Sequence, residues 1–100
     1  MMRPKKTRWV KCSPSERIFK PPTRFKSNEA IVLTLDEFEA IRLLDYEHLS
    51  QIQAAEEMHI HRSTVSRIIS AARKKIAQAL VNINTLKIEG GCCKVIKGGA

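Results

Sequence analysis

The chain has 100 residues, 18 of them Lys or Arg and 10 Asp or Glu, for a formal net charge of +8. That length sets one domain as the expectation, and that charge makes a polyanion the first partner to consider. No apolar run approaches the roughly 20 residues that span a bilayer, and MMRPKKTRWVKC at the amino terminus has no apolar signal core behind it, so a cytoplasmic protein without a membrane role is expected.

The charge falls in blocks. Residues 1–27 carry nine basic side chains against Glu16, residues 28–61 eight acidic side chains against Arg42, and residues 62–100 eight basic side chains against Glu89. A general solubilising surface mixes its signs. The blocks instead suggest one basic docking surface and an acidic back. Cys12, Cys92 and Cys93 are odd in number and two are adjacent, which excludes a disulfide framework. They also lack the gap of about two to four residues between paired metal ligands. Neither a metal nor a cofactor is expected.

In chain order, residues 1–29 form a basic arm that holds all four prolines, so a long helix is excluded there. A short extended piece is expected around Arg8–Lys11, with Trp9, Ile18, Phe19 and Phe25 available as anchors. Residues 30–91 form the folded domain. Ala30–Thr34 reads as a short strand. Thr34-Leu35-Asp36-Glu37 has the form of a capping box that opens a first helix to about Tyr46, with Phe38, Ile41 and Leu44 or Asp45 on its inner face. Ser50-Gln51-Ile52-Gln53 repeats the box and opens a second helix to about Met58, with Ile52, Ala55 and Met58 inward. Ala55 permits the close approach of a crossing helix. His59-Ile60-His61 is the turn, with Ile60 as an apolar plug. A third helix starts at Arg62, and Val65, Ile68, Ile69, Ala72, Ile76 and Leu80 keep helical spacing. A turn at Asn82–Asn84, a second strand at Leu86–Ile88 and a loose tail over 92–100 complete the chain.

Two short helices joined by a three- or four-residue turn are the elements of a helix-turn-helix. The second helix of that motif enters the major groove with its N-terminal residues against base edges. Residues 62–70 supply what such a helix needs: an apolar back, a polar front and small side chains near its start. Arg73, Lys74 and Lys75 lie about two turns further on, where phosphate is nearer than base. Arg3, Lys5, Lys6 and Arg8 of the arm add further phosphate contacts, in the manner of minor-groove arms. No nucleophile or Gly-rich loop stands beside the carboxylates Asp36, Glu37, Glu39, Asp45, Glu47, Glu56 and Glu57. They read as a solvated face, and no enzymatic activity is expected.

The segment LTLDEFEAIRLLDYEHLSQIQAAEEMHIHRSTVSRIISAARKKIAQAL, flanked by RPKKTRWV and ALVNINTLKIEGG, resembles the UPF0251 (DUF134) family of small predicted DNA-binding proteins, which are related to region 4 of sigma factors. The resemblance implies a mainly α fold: a three-helix, sigma-region-4-like helix-turn-helix with short flanking strands and a basic N-terminal arm. It implies sequence-specific binding of double-stranded DNA and a role in transcription regulation. By position it assigns base contacts to Arg62, Ser63, Ser66 and Arg67, and backbone support to Thr64, Arg73 and Lys74. His59 stands where the family usually has Gly and must therefore take a left-handed conformation. His61 stands where Ser usually caps the third helix. A protein-interaction module, such as an RNA polymerase partner using the acidic face, is the competing function. A homodimer is expected, because one recognition helix reads only a few base pairs and the two strands have edges to cover. A monomer whose strands pair with each other and with the arm is the alternative.

Overall fold

A computed structural model of the chain describes residues 7–11, 17–22, 29–91 and 93–95. Arg3, Lys5, Lys6, Cys12, Phe25 and Cys92 lie outside the described residues.

Three helices form the body. Helix α1 spans Leu35–Ile41 and continues without a break into a π-helical turn at Arg42–Tyr46. Its first turn is fixed by the Glu37 carboxylate, which accepts the Thr34 N–H at 2.9 Å. The π turn is closed by the Glu47 N–H, which reaches back five residues to the Arg42 carbonyl at 2.8 Å. Helix α2 spans Gln51–Met58 and opens on the capping box: Gln53 N–H donates to Ser50 Oγ, and Gln53 Oε1 accepts from Ser50 N–H. Helix α3 spans Arg62–Asn82. None of the described helices is long and apolar enough to cross a membrane.

Among the described residues there are also five short strands: β1 Arg8–Val10, β2 Arg17–Phe19, β3 Ala30–Leu33, β4 Thr85–Ile88 and β5 Cys93–Val95. Strand β4 is the centre of a three-stranded sheet, antiparallel to β2 and parallel to β3. Parallel strands need a crossover, and here the three helices are the crossover between β3 and β4. Strands β1 and β5 pair in parallel, Arg8 opposite Cys93 and Val10 opposite Val95.

Two apolar clusters hold the layers. One joins the helices through Leu43, Ala54, Ala55, Met58, Ile60 and Val65 with Ile68 and Ile69. The other seats α3 on the sheet through Leu33, Ala72 and Ile88. Burial of an aliphatic side chain contributes about 1.5–3 kcal/mol, so these few residues carry most of the drive to fold.

The structure corrects several expectations. Apolar spacing puts Ile52 on the inner face of α2, but it is 61% exposed; Ala54 takes that place. The same spacing puts Leu80 in the inner stripe of α3, but it is 74% exposed, and Ala79 beside it is buried instead. The arm contributes β2, which no sequence signal announces. In place of a wholly loose tail, Cys93–Val95 pairs with the arm. The strands pair with each other and with the arm, so β4 has a neighbour on both sides while β2 and β3 are edge strands.

The acidic back is the largest correction. Asp36, Glu37 and Glu39 are buried, not on a solvated face, whereas Asp45, Glu47 and Glu56 are exposed as expected. Two of the buried charges meet cations from the basic blocks, Arg8 3.5 Å from Asp36 and Lys75 2.7 Å from Glu37, and the third meets Arg42 of the acidic block itself, 2.7 Å from Glu39. The Lys11 N–H donates to Glu39 at 2.8 Å and its ammonium to Glu57 at 2.7 Å. Charge separated along the chain is brought together in space.

Candidate nucleic-acid interface

The connection from α2 to α3 is three residues long and every one is fixed. His59 takes the left-handed conformation, φ 57° and ψ 43°. Its ring stacks on Trp9 of β1, centroids 3.5 Å apart and planes 22° apart. Ile60 is buried beneath both helices. His61 is extended and caps α3, its Nδ1 accepting the Ser63 N–H at 3.1 Å. A histidine thus fills the cap role more usual for Ser, Thr, Asn or Asp. The start of α3 is held from behind by Val65, Ile68 and Ile69, all buried.

What this rigid start presents outward is basic and polar. Arg62, Ser63, Ser66 and Arg67 are exposed and together line a shallow hollow of about 300 Å³. All four base-contact candidates are therefore side by side. Neither arginine makes an ion pair or hydrogen bond with any described residue. Thr64 is half-buried and lines an adjoining hollow of about 450 Å³ with Arg67, Arg8 and Lys75.

The phosphate candidates divide. Lys74 is exposed on the stripe that Ser63, Arg67 and Ser70 form at helical spacing. Arg73 instead reaches Asp45 with two hydrogen bonds of 3.2 and 2.6 Å. The Arg73 guanidinium holds the Asp45 carboxyl below the usual carboxylate range, against a small opposing effect of burial. Asp45 in turn raises the Arg73 pKa. Lys75 donates to the Val32 carbonyl and to Glu37. Arg8 lies against Asp36 with its side chain only 11% exposed. At the other end of β1, Lys11 holds the Glu57 carboxyl below its ordinary value by hydrogen bonding to it. These pairs join residues 28 to 46 positions apart, and local periodicity carries no trace of them. No group of three or more His, Cys, Asp or Glu that could hold a metal occurs among the described residues.

The molecule is thus a small, mainly helical protein with a three-stranded sheet and one exposed basic helix end. The family described as protein of unknown function DUF134 matches residues 1–96. The chain is 47% identical to a UPF0251 protein of Caldanaerobacter subterraneus subsp. tengcongensis, over 95% of this chain and 81% of that one. It is 47% identical to a UPF0251 protein of Ruminiclostridium cellulolyticum, over 98% of this chain and 76% of that one. It is 43% identical to one of Methanosarcina mazei, over 97% of this chain and 60% of that one. The chain belongs to the UPF0251 (DUF134) family. No solved structure matches it.

Proposed function

We propose that this protein binds double-stranded DNA through a helix-turn-helix of the sigma-region-4 kind, formed by α2, the turn at residues 59–61 and α3, and that it regulates transcription. One observation carries the reading. The cations facing the body of the protein are neutralised by Asp36, Glu37, Asp45 and Glu57, whereas Arg62 and Arg67 at the front of α3 are left without a described partner. They flank two serines on the first turns of a helix locked from behind. Arginine bonds bidentately to guanine and serine serves several bases. The positive end of the α3 dipole adds attraction for phosphate. Asp45, Glu47 and Glu56 stay exposed, but Asp45 and Glu57 are paired with Arg73 and Lys11, so the acidic surface that an RNA polymerase partner would use is smaller than the sequence alone offers.

Selection of bound duplexes from a random pool, followed by anisotropy titration at fixed salt, tests the reading. Arg67→Ala is expected to cost about 1–3 kcal/mol on the selected site and to relax its sequence preference. Lys75→Ala is expected to leave sequence preference intact. If the selection yields no preferred sequence, or Arg67→Ala binds it like wild type, the assignment of α3 fails.

A further inference from the structure

The far end of α3 carries a second surface. Residues 76–86 contain no Asp, Glu, Lys or Arg, the longest such run in the chain. The run is not buried. Leu80 is 74% exposed, Val81 78% and Ile83 39%, and Phe19 of β2 stands beside them at 59%. Phe19, Pro21, Leu80 and Ile83 rim a groove of about 370 Å³ whose floor includes Ile76 and Leu86. Ile83 closes α3 in the left-handed conformation, φ 56°. A β-branched residue there is a steric outlier. Gly or Asn would hold the same turn at lower cost, so the apolar side chain is kept at the expense of stability. Strain of this kind points to function at the strained position.

We propose that this groove is the interface between two copies of the chain. Phe19, Leu80, Val81 and Ile83 leave on the order of 400 Å² of apolar surface in water, the size of the largest patch on a typical small protein, which is often functional. That is about the apolar share of one partner in a standard interface. The patch also offers both a ridge, Leu80 and Val81, and a hollow beside it, which a two-fold interface requires of one surface. Among the described residues, Lys20 is the one charged side chain that lines the groove, which matters in a chain of net charge +8, because like charges across a dyad repel. The placement suits paired reading of DNA, a point that rests on the function proposed above. Ser66 and Leu80 lie about 21 Å apart along α3. Two copies joined at Leu80 then hold their reading ends up to about 40 Å apart, enough to span the roughly 34 Å between half-sites one turn apart.

Sedimentation equilibrium of the full chain without DNA tests the interface. The expected mass is about twice 11.3 kDa. Leu80→Glu, at a position too exposed to upset folding, is expected to weaken association at least about tenfold by placing a charge in the apolar contact. Ile83→Asn is expected to raise the melting temperature and also weaken association, a combination that a merely unfolded variant cannot produce. Tyr46→Glu, equally exposed but remote from the groove, is expected to leave the dimer intact. A wild-type mass of 11.3 kDa at tens of micromolar overturns the proposal. So does a monomer that Leu80→Glu destabilises, which would assign the groove to another segment of the same chain. A dimer that selects no duplex would instead refute the reading of α3 and leave the interface standing.

Discussion

Arg67 and Arg73 lie on the same helix about two turns apart, yet one faces solvent and the other is tied to Asp45. That difference is testable at the residue itself. The bridge is about half exposed, with side chains 56% and 42% accessible, so it contributes at most about 0.2–1 kcal/mol to the fold. Because Arg73 lowers the Asp45 pKa from its ordinary 3.8, this stabilisation is present above that value and disappears as pH falls through the folded-state pKa. The urea midpoint of Asp45→Asn is therefore expected slightly below wild type near pH 6, and the gap is expected to close under strong acid. DNA affinity is expected to move the other way. Asp45→Asn releases Arg73 and removes a negative charge, so binding strengthens, and one new phosphate contact steepens the salt dependence by about 0.9 in log–log slope. An unchanged slope would show that Arg73 lies beyond reach of the backbone of the duplex.

At the scale of elements, the turn between α2 and α3 depends on a strand far away in sequence. The Trp9 ring lies on His59, so β1 helps hold a left-handed residue on which the aim of α3 rests. Stacked aromatic pairs contribute about 0.5–1.5 kcal/mol beyond the area they bury. A double-mutant cycle of Trp9→Ala and His59→Ala, followed by urea unfolding, is expected to return a coupling of that size. The strain of Ala at a positive φ occurs on both sides of the cycle and cancels. Singles that simply add would show that β1 is not what steadies the turn. The limits of sequence reading lie at the same place. Both capping residues, the Ile60 plug and the start of α3 at Arg62 were legible, because caps and helical periodicity are local. The left-handed His59 and the four candidate base contacts followed instead from the family resemblance, position by position. The Trp9 stack, strand β2 and the bridges Arg8–Asp36 and Lys75–Glu37 were not, because each depends on which distant segments the fold brings together. Ile52 and Leu80 misled because apolar spacing records a stripe without recording where its partner surface stops.

Across the whole molecule, the acidic middle of the chain acts as an internal clamp between two basic blocks. The N-terminal block contributes Arg8 and Lys11, the C-terminal block Arg73 and Lys75, and α1 with its π turn stands between them. The first six residues of the arm include Arg3, Lys5 and Lys6, basic side chains expected from the sequence to contact phosphate. The next five belong to the body: Val10 is fully buried, Trp9 stacks on the turn, and the backbone of Lys11 satisfies the buried carboxylate of Glu39. Removal of residues 1–6 is expected to flatten the salt dependence of DNA binding by roughly 0.9 for each phosphate that the shortened arm no longer reaches, with little change in stability. Removal of residues 1–11 is expected to do something different in kind. It takes away the burial of Val10, about 1.5–3 kcal/mol, and leaves Glu39 with one donor fewer in a site that is 1% exposed, at a further cost of about 1–3 kcal/mol. For a fold of this size, with about 5–15 kcal/mol in total, that is a large drop in urea midpoint. DNA affinity should then fall because the start of α3 is no longer held, even in conditions where charge is screened. Equal stability of the two truncations would show that β1 only rests on the helices, and that the turn and α3 are set by α1 and α2 alone.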